Sequence, residues 1–79
     1  MKATELIEEF EQVKKDGARH TTYTGDYSVF IEYNTTYEYW TVAIVTTMHT
    51  IAVHFNSYRK MDGVDGVMLY WDGVSVGFL

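Results

Sequence analysis

Residues 66–79 read Gly-Val-Met-Leu-Tyr-Trp-Asp-Gly-Val-Ser-Val-Gly-Phe-Leu, and this stretch decides the fold that the sequence predicts. Asp72-Gly73 separates two runs of alternating apolar residues, which is the strongest short-range signal for a β-hairpin. A two-residue type I′ turn needs positive φ at both central positions, and Asp-Gly adopts that conformation readily. The sequence therefore predicts two antiparallel strands joined at Asp72-Gly73.

The turn also sets a register for the two strands. The expected pairs are Trp71 with Val74, Leu69 with Val76, and Val67 with Phe78. We expect these six apolar side chains to share one face and to pack against a helix, which would make Trp71 a core residue. The opposite face would carry Met68, Tyr70, Ser75 and Gly77.

Residues 4–16 have the periodicity of an amphipathic helix. Apolar residues recur at three- and four-residue spacing, namely Ala3, Leu6, Ile7, Phe10 and Val13. Thr4 is expected to cap the first turn, and Gly17 is expected to end the helix in a left-handed conformation. We therefore predict one N-terminal helix.

From Arg19 onward the period changes to two, which is typical of β-strands. The expected strands are 20–24, 27–33, 38–46 and 51–56, joined by a turn at Gly25-Asp26, a loop over 34–37 and a turn near Met48-His49. Residues 57–66 lack periodicity and are expected to form one long connection.

These elements predict an α+β fold, with residues 1–79 as a single compact domain. One N-terminal helix would pack on a twisted antiparallel sheet of five or six strands connected by hairpins. A helix of about four turns is roughly 20 Å long and cannot cover such a sheet. The sheet must therefore curl into a partial barrel, or expose its second face to solvent and partners.

The composition excludes several classes of function. Eleven acidic residues against six basic ones give a net charge of −5, so direct nucleic-acid binding is not expected. The chain has no cysteine, which excludes disulfides and thiolate metal sites and fits a cytoplasmic location. Neither a signal peptide nor a membrane-spanning segment is recognisable, so we expect no membrane contact.

No catalytic or metal-binding motif is present. His20, His49 and His54 lack the spacing of metal ligands and are interpreted as structural. The Asp62-Gly63-Val64-Asp65-Gly66 segment lacks the ligand pattern of a calcium loop and is interpreted as turns. We predict that the chain is not an enzyme and binds no cofactor; a small hydrolase using His54 or His20 with a carboxylate is the least favoured alternative.

Carboxylates and tyrosines are the candidates for partner contact. The acidic helix residues are typical of a solvated face, but they also suit docking to a basic protein, and tyrosines are common at interfaces. The candidate partner-binding residues are Glu5, Glu8, Glu9, Glu11, Tyr58, Asp62, Asp65, Met68 and Tyr70.

The sequence thus favours a small acidic protein-binding module. In size and acidity the chain resembles small phage inhibitors of the anti-restriction and anti-CRISPR kind, although it shares no motif with them. That resemblance implies a protein that blocks the nucleic-acid-binding surface of a host enzyme. The alternative is a homo-oligomeric domain, such as a homodimer, that binds a small ligand between paired sheet faces.

Overall fold

The computed structural model describes residues 2–23 and 25–79, with the side chains of residues 20, 22 and 23 excluded. These residues form one helix, α1 (Ala3–Asp16), and seven strands. The strands are β1 (Ala18–Tyr23), β2 (Tyr27–Asn34), β3 (Tyr39–Val45), β4 (Thr50–Phe55), β5 (Ser57–Lys60), β6 (Val67–Trp71) and β7 (Val74–Phe78). The fold is therefore α+β with antiparallel sheets.

The strands form two sheets, so the prediction of a single five- or six-stranded sheet is wrong in that respect. The first sheet has the order β1-β2-β3-β4 and the second has the order β5-β6-β7. The extra strand, β5, lies inside the expected 57–66 connection and pairs with β6, with Ser57 opposite Tyr70. Only residues 61–66 remain a loop.

A single residue, Asn56, joins the two sheets between β4 and β5. Its backbone N–H donates to the carbonyl of Tyr70 at 2.9 Å. Its side chain donates to Asp72 Oδ1 at 2.7 Å and accepts from the backbone N–H of Asp72 at 3.0 Å. The chain therefore turns a corner at Asn56, and the corner is bound to the tip of the β6–β7 hairpin.

The helix matches its prediction except at its first turn. It begins at Ala3, and Asp65 rather than Thr4 supplies a cap: the Ala3 N–H donates to Asp65 Oδ1 at 2.8 Å. A residue 62 positions away thus satisfies one of the unpaired N–H groups of the first turn. Gly17 ends the helix as expected, with φ of 103° and its N–H bound to the Val13 carbonyl.

The core lies where α1 crosses the first sheet and meets the second. Phe10 is fully buried, and its ring lies 5.0 Å from that of Phe55 and 5.1 Å from that of Tyr58. The other buried apolar residues are Ala3, Leu6, Val13, Ile31, Trp40, Val42, Val67 and Leu69. The expected alternation is confirmed in β2 and β3, because Ile31, Trp40 and Val42 all face α1.

The C-terminal hairpin confirms the predicted turn but only part of the register. Asp72 and Gly73 have φ of 49° and 82°, as a type I′ turn requires, and Trp71 lies opposite Val74. A β-bulge then shifts the pairing between Leu69 and Tyr70, so that Leu69 lies opposite Gly77. The expected pairing of Leu69 with Val76 is therefore wrong.

The same shift moves Phe78 to the other face of the hairpin, whereas Trp71 and Val74 keep their expected pairing and are nevertheless exposed. Phe78 pairs with Met68 instead of Val67, and of the six residues expected on the core face only Val67 and Leu69 are buried. The other four are exposed, namely Trp71, Val74, Val76 and Phe78. The prediction that Trp71 is a core residue is therefore wrong.

The remaining turns follow the sequence. Gly25 has φ of 78°, while Thr24, which ends the expected first strand, lies outside the described residues. The turn predicted near Met48-His49 is present, because the Thr46 hydroxyl accepts the backbone N–H groups of both residues. Within the described chain, the one helix is too short and too polar to cross a membrane.

Candidate functional site

A groove lies between β4 and the β6–β7 hairpin, with a volume of about 760 Å³. Tyr39, Ala52, Val53 and His54 line it from the first sheet, and Trp71, Asp72, Val74 and Val76 line it from the hairpin. Among these lining residues Asp72 carries the one formal charge. The groove is therefore apolar and open to solvent, as binding sites for proteins and ligands commonly are.

Aromatic contacts close one end of the groove. The Tyr39 ring lies 5.5 Å from the Trp71 ring and 5.4 Å from the His54 ring, edge to face in both cases. His54 Nδ1 also forms a hydrogen bond with the Thr41 hydroxyl at 2.7 Å. Together with the corner bonds at Asn56, these contacts connect the hairpin to the first sheet at this end of the groove.

The walls near the groove expose large apolar side chains. Val74 in the groove lining is 66% exposed; outside the lining, Phe78 at the end of β7 is 70% exposed and Ile51 on β4 is 63% exposed. Residues 50–56 and 73–79 contain no Asp, Glu, Lys or Arg. Edge strands of stable monomers usually carry charges or proline that prevent pairing with other chains, so this bare apolar surface is unusual.

Two of the predicted acidic contact residues, Glu5 and Glu8, are exposed on the outer face of α1, and no cation of the described chain pairs with them. Glu9 is paired, because its Oε2 lies 2.6 Å from Nε of Arg19. Glu11 accepts a hydrogen bond from the Tyr58 hydroxyl. Only part of the acidic helix surface is therefore free to meet a partner.

Tyr58 lies at the boundary of the core. Its ring packs on Phe10 and on Trp40, at 5.1 Å and 5.4 Å between ring centres. Burial raises the pKa of its hydroxyl well above the usual value, and the hydrogen bond and charge of Glu11 raise it further. The geometry gives Tyr58 a structural role, and contact with a partner stays a prediction.

The other four predicted contact residues are scattered. Asp62 is exposed in the loop over 61–66, whereas Asp65 in the same loop caps α1. Met68 and Tyr70 are half-buried on the second sheet. The Ser75 hydroxyl donates to the Met68 sulfur at 3.0 Å, and Arg59 donates to the Tyr70 hydroxyl at 3.2 Å.

The structure therefore does not gather the predicted contact residues into one site. Glu5 and Glu8 lie on α1, which covers one face of the first sheet, while Ala52 and His54 of the groove lie on its other face. The sequence pattern does not predict the groove, because it places Trp71 and Val74 in the core. The sequence signal that could reveal the groove is the absence of charged residues from 50–56 and from 73–79, the two strands that border it.

A second, smaller cleft of about 200 Å³ opens between α1 and the first sheet. It is lined by Leu6, Thr21, Tyr27, Val29, Ile31, Ile44 and Leu79. Leu6 is the one lining residue from α1, so the cleft lies beside the first half of the helix. Its lining is mainly apolar, and Thr21 and Tyr27 are the lining residues that carry a hydroxyl.

The described residues contain no cluster of three or more side chains suited to holding a metal ion. His49 is exposed in its turn, His54 lies in the groove, and the His20 side chain is outside the described part of the chain. No family model, curated protein or solved structure matches this chain.

Proposed function

We propose that this chain is a small protein-binding module, without catalytic activity, that holds a segment of a partner protein in the groove between β4 and the β6–β7 hairpin. The observation that carries the proposal is the apolar groove of about 760 Å³, which is bounded at one end by the Tyr39–Trp71 and Asn56–Asp72 contacts. Val74 and Val76 stand exposed in its wall, where a partner would bury them.

Charge indicates which partner would fit. The chain carries a net charge of −5, and Asp72 is the one charged group of the groove lining. A partner segment without acidic residues, and with Lys or Arg near Asp72, would complement this surface. A basic nucleic-acid-handling enzyme in the cytoplasm has that character, which favours the more specific proposal of a phage-type inhibitor.

The experiment that tests the groove is selection from a random peptide library displayed on phage. We expect peptides that bind the native protein and that bind Val74→Asp at least about 10-fold more weakly, since a charge in the apolar wall must be desolvated. Val64→Asp is the matched control, because Val64 is similarly exposed but lies in the loop over 61–66. Failure to select any peptide, or equal binding to both variants, would contradict the proposal.

The inhibitor version has its own test, since it depends on the free acidic residues of α1. Cleavage of plasmid DNA by a purified restriction enzyme and by an RNA-guided nuclease would be measured with the protein present. We expect inhibition that Glu5→Lys/Glu8→Lys removes and that Glu38→Lys, an exposed change away from α1, leaves intact. Unaffected cleavage by both enzymes would count against this version while leaving the groove proposal standing.

A homo-oligomeric domain that binds a small ligand is the second candidate, and the apolar cleft lined by Leu6, Val29 and Ile44 favours it. Sedimentation equilibrium across a range of concentrations would reveal self-association. Titration with the dye anilinonaphthalene sulfonate would reveal an accessible apolar site. A concentration-independent monomer that leaves the dye emission unchanged would contradict this candidate.

A further inference from the structure

One edge of β4 has no strand partner. β4 pairs with β3 through all six of its residues, from Thr50 opposite Val45 to Phe55 opposite Trp40. Within residues 2–23 and 25–79, no strand pairs with its other edge. That edge borders the groove, because Ala52, Val53 and His54 are all part of the groove lining.

The pairing pattern shows which backbone groups point into the groove. Thr46 donates its N–H to the carbonyl of His49, so the position just before β4 is a hydrogen-bonded pair. Hydrogen-bonded and non-hydrogen-bonded pairs alternate along antiparallel strands. Ile51, Val53 and Phe55 therefore bond to β3, and the N–H and C=O groups of Ala52 and His54 point away from it.

We infer that the groove takes an extended segment of the partner, which adds as a further strand to the free edge of β4 and bonds to the backbone of Ala52 and His54. This inference rests on the proposed protein-binding function and specifies the form of the ligand. Strand addition derives its affinity from main-chain hydrogen bonds and its selectivity from pockets for alternate side chains.

Three properties of the groove define the segment. The length of β4 allows pairing with about five or six residues, the usual length of a strand. Exposed Val74 and Val76 favour apolar side chains at alternate positions of the ligand. Asp72 at the closed end favours a Lys or Arg at the corresponding end of the ligand.

The charge of the chain also argues against a second copy of itself as the occupant. Two copies would each bring a net charge of −5, and neither edge strand of the groove contributes a cation to offset it. A segment with one cation and no acidic residue would be attracted instead. Pairing of two copies of the chain through this edge is therefore not expected, and its detection would count against the inference.

Amide hydrogen exchange measured by NMR tests the backbone geometry directly. In the free protein we expect the amides of Ala52 and His54 to exchange at least about 10-fold faster than those of Val53 and Phe55. The probe is the blocked hexapeptide acetyl-Lys-Val-Thr-Val-Thr-Val-amide. Its addition should slow exchange at Ala52 and His54 and leave Val53 and Phe55 nearly unchanged.

Two N-methylated forms of the hexapeptide supply the matched control. One carries N-methyl groups on residues 2, 4 and 6 of the peptide and the other on residues 3 and 5, so each blocks one edge of the strand. Only one edge can pair with β4, so we expect one form to bind about 10-fold or more weakly and the other to bind like the parent.

The outcomes separate this inference from the proposed function. Equal binding of both N-methylated forms, or no change at Ala52 and His54, would overturn strand addition even if library peptides still require Val74. Protection of these amides in the peptide-free protein that grows with its concentration would make a second copy the occupant and would also overturn the inference. If neither a library peptide nor the hexapeptide binds the protein, the proposed function itself is wrong.

Discussion

The two tryptophans of this chain lie in similar strands but in opposite surroundings. Trp40 is 5% exposed, donates its indole N–H to the Phe10 carbonyl at 2.9 Å, and stacks on Phe55. Trp71 is 39% exposed and meets Tyr39 at the end of the groove. Trp40 is a core residue, and Trp71 belongs to the candidate binding surface.

The difference shows that alternation identifies a face of a strand but does not say what covers it. Helix α1 lies over Trp40, so that side chain leaves water and finds a partner for its N–H. On the second sheet, Trp71 lies in the lining of the open groove and is not part of the core that packs against α1. Trp71 therefore stays partly in solvent.

The largest expected effect comes from truncating each tryptophan in turn. Trp40→Ala should lower the free energy of unfolding by about 3–5 kcal/mol, because it leaves a cavity beside Phe10 and Phe55. Trp71→Ala should lower it by about 1 kcal/mol or less, because its side chain is already partly exposed. Urea unfolding measures the loss of stability in each variant. Equal losses would mean that Trp40 and Trp71 do not differ in their contribution to the core.

Asp65 caps the start of α1 by accepting the N–H of the buried residue Ala3. Asp65→Ala should cost about 1 kcal/mol, as loss of a helix cap usually does, and Asp65→Asn should cost less because an acceptor oxygen remains. Asp62→Ala is the matched control from the same loop. If the two alanine variants unfold at the same urea concentration, the cap contributes no measurable stability.

Tyr58 marks the border between the core and solvent. Tyr58→Phe should cost about 0.5–1.5 kcal/mol through the lost hydrogen bond to Glu11. The pKa of Tyr58 is higher in the folded state than in the unfolded state. The Tyr58 hydroxyl therefore makes its full contribution to the free energy of unfolding below the ordinary tyrosine pKa of about 10, and that contribution falls as the pH rises above about 10. Unfolding measured at pH 8 and pH 11 should therefore show a smaller pH effect in Tyr58→Phe than in the native protein.

The smallest effect on stability is expected for Trp71→Phe, which nevertheless gives a sharp optical test. It should change the free energy of unfolding by less than about 1 kcal/mol and leave Trp40 as the one tryptophan. Acrylamide should quench the remaining emission weakly, whereas Trp40→Phe should leave a readily quenched Trp71. Similar quenching in both variants would mean that Trp71 is as buried as Trp40.

Local signals in the sequence predicted much of the fold. The helix, the Asp72-Gly73 turn and the strands over 27–33 and 51–56 have strong periodicity or specific turn residues, and the structure contains them. β5 could not be predicted, because Ser-Tyr-Arg-Lys shows no apolar alternation and is held by its pairing with β6. The bulge leaves Val76 unpaired, and nothing in the residue pattern indicates that position.

The candidate site was less predictable than the fold. The groove exists because β4 and the β6–β7 hairpin diverge beyond Asn56. The angle between them depends on tertiary packing. Composition indicated the free carboxylates Glu5 and Glu8 correctly as exposed, but it did not show that Asp65 is bound within the protein. Exposed apolar residues such as Val74 resemble core residues in sequence, so their location required the structure.

The Ala3–Asp65 bond also has a consequence for the order of folding. Each sheet is built from strands that are neighbours in sequence, β1 to β4 in one and β5 to β7 in the other, so both can form through local contacts. The bond to Asp65 spans 62 residues and requires α1 and the loop of the second sheet to be in place. We therefore expect it to form after the transition state, so that Asp65→Ala accelerates unfolding and leaves the folding rate nearly unchanged.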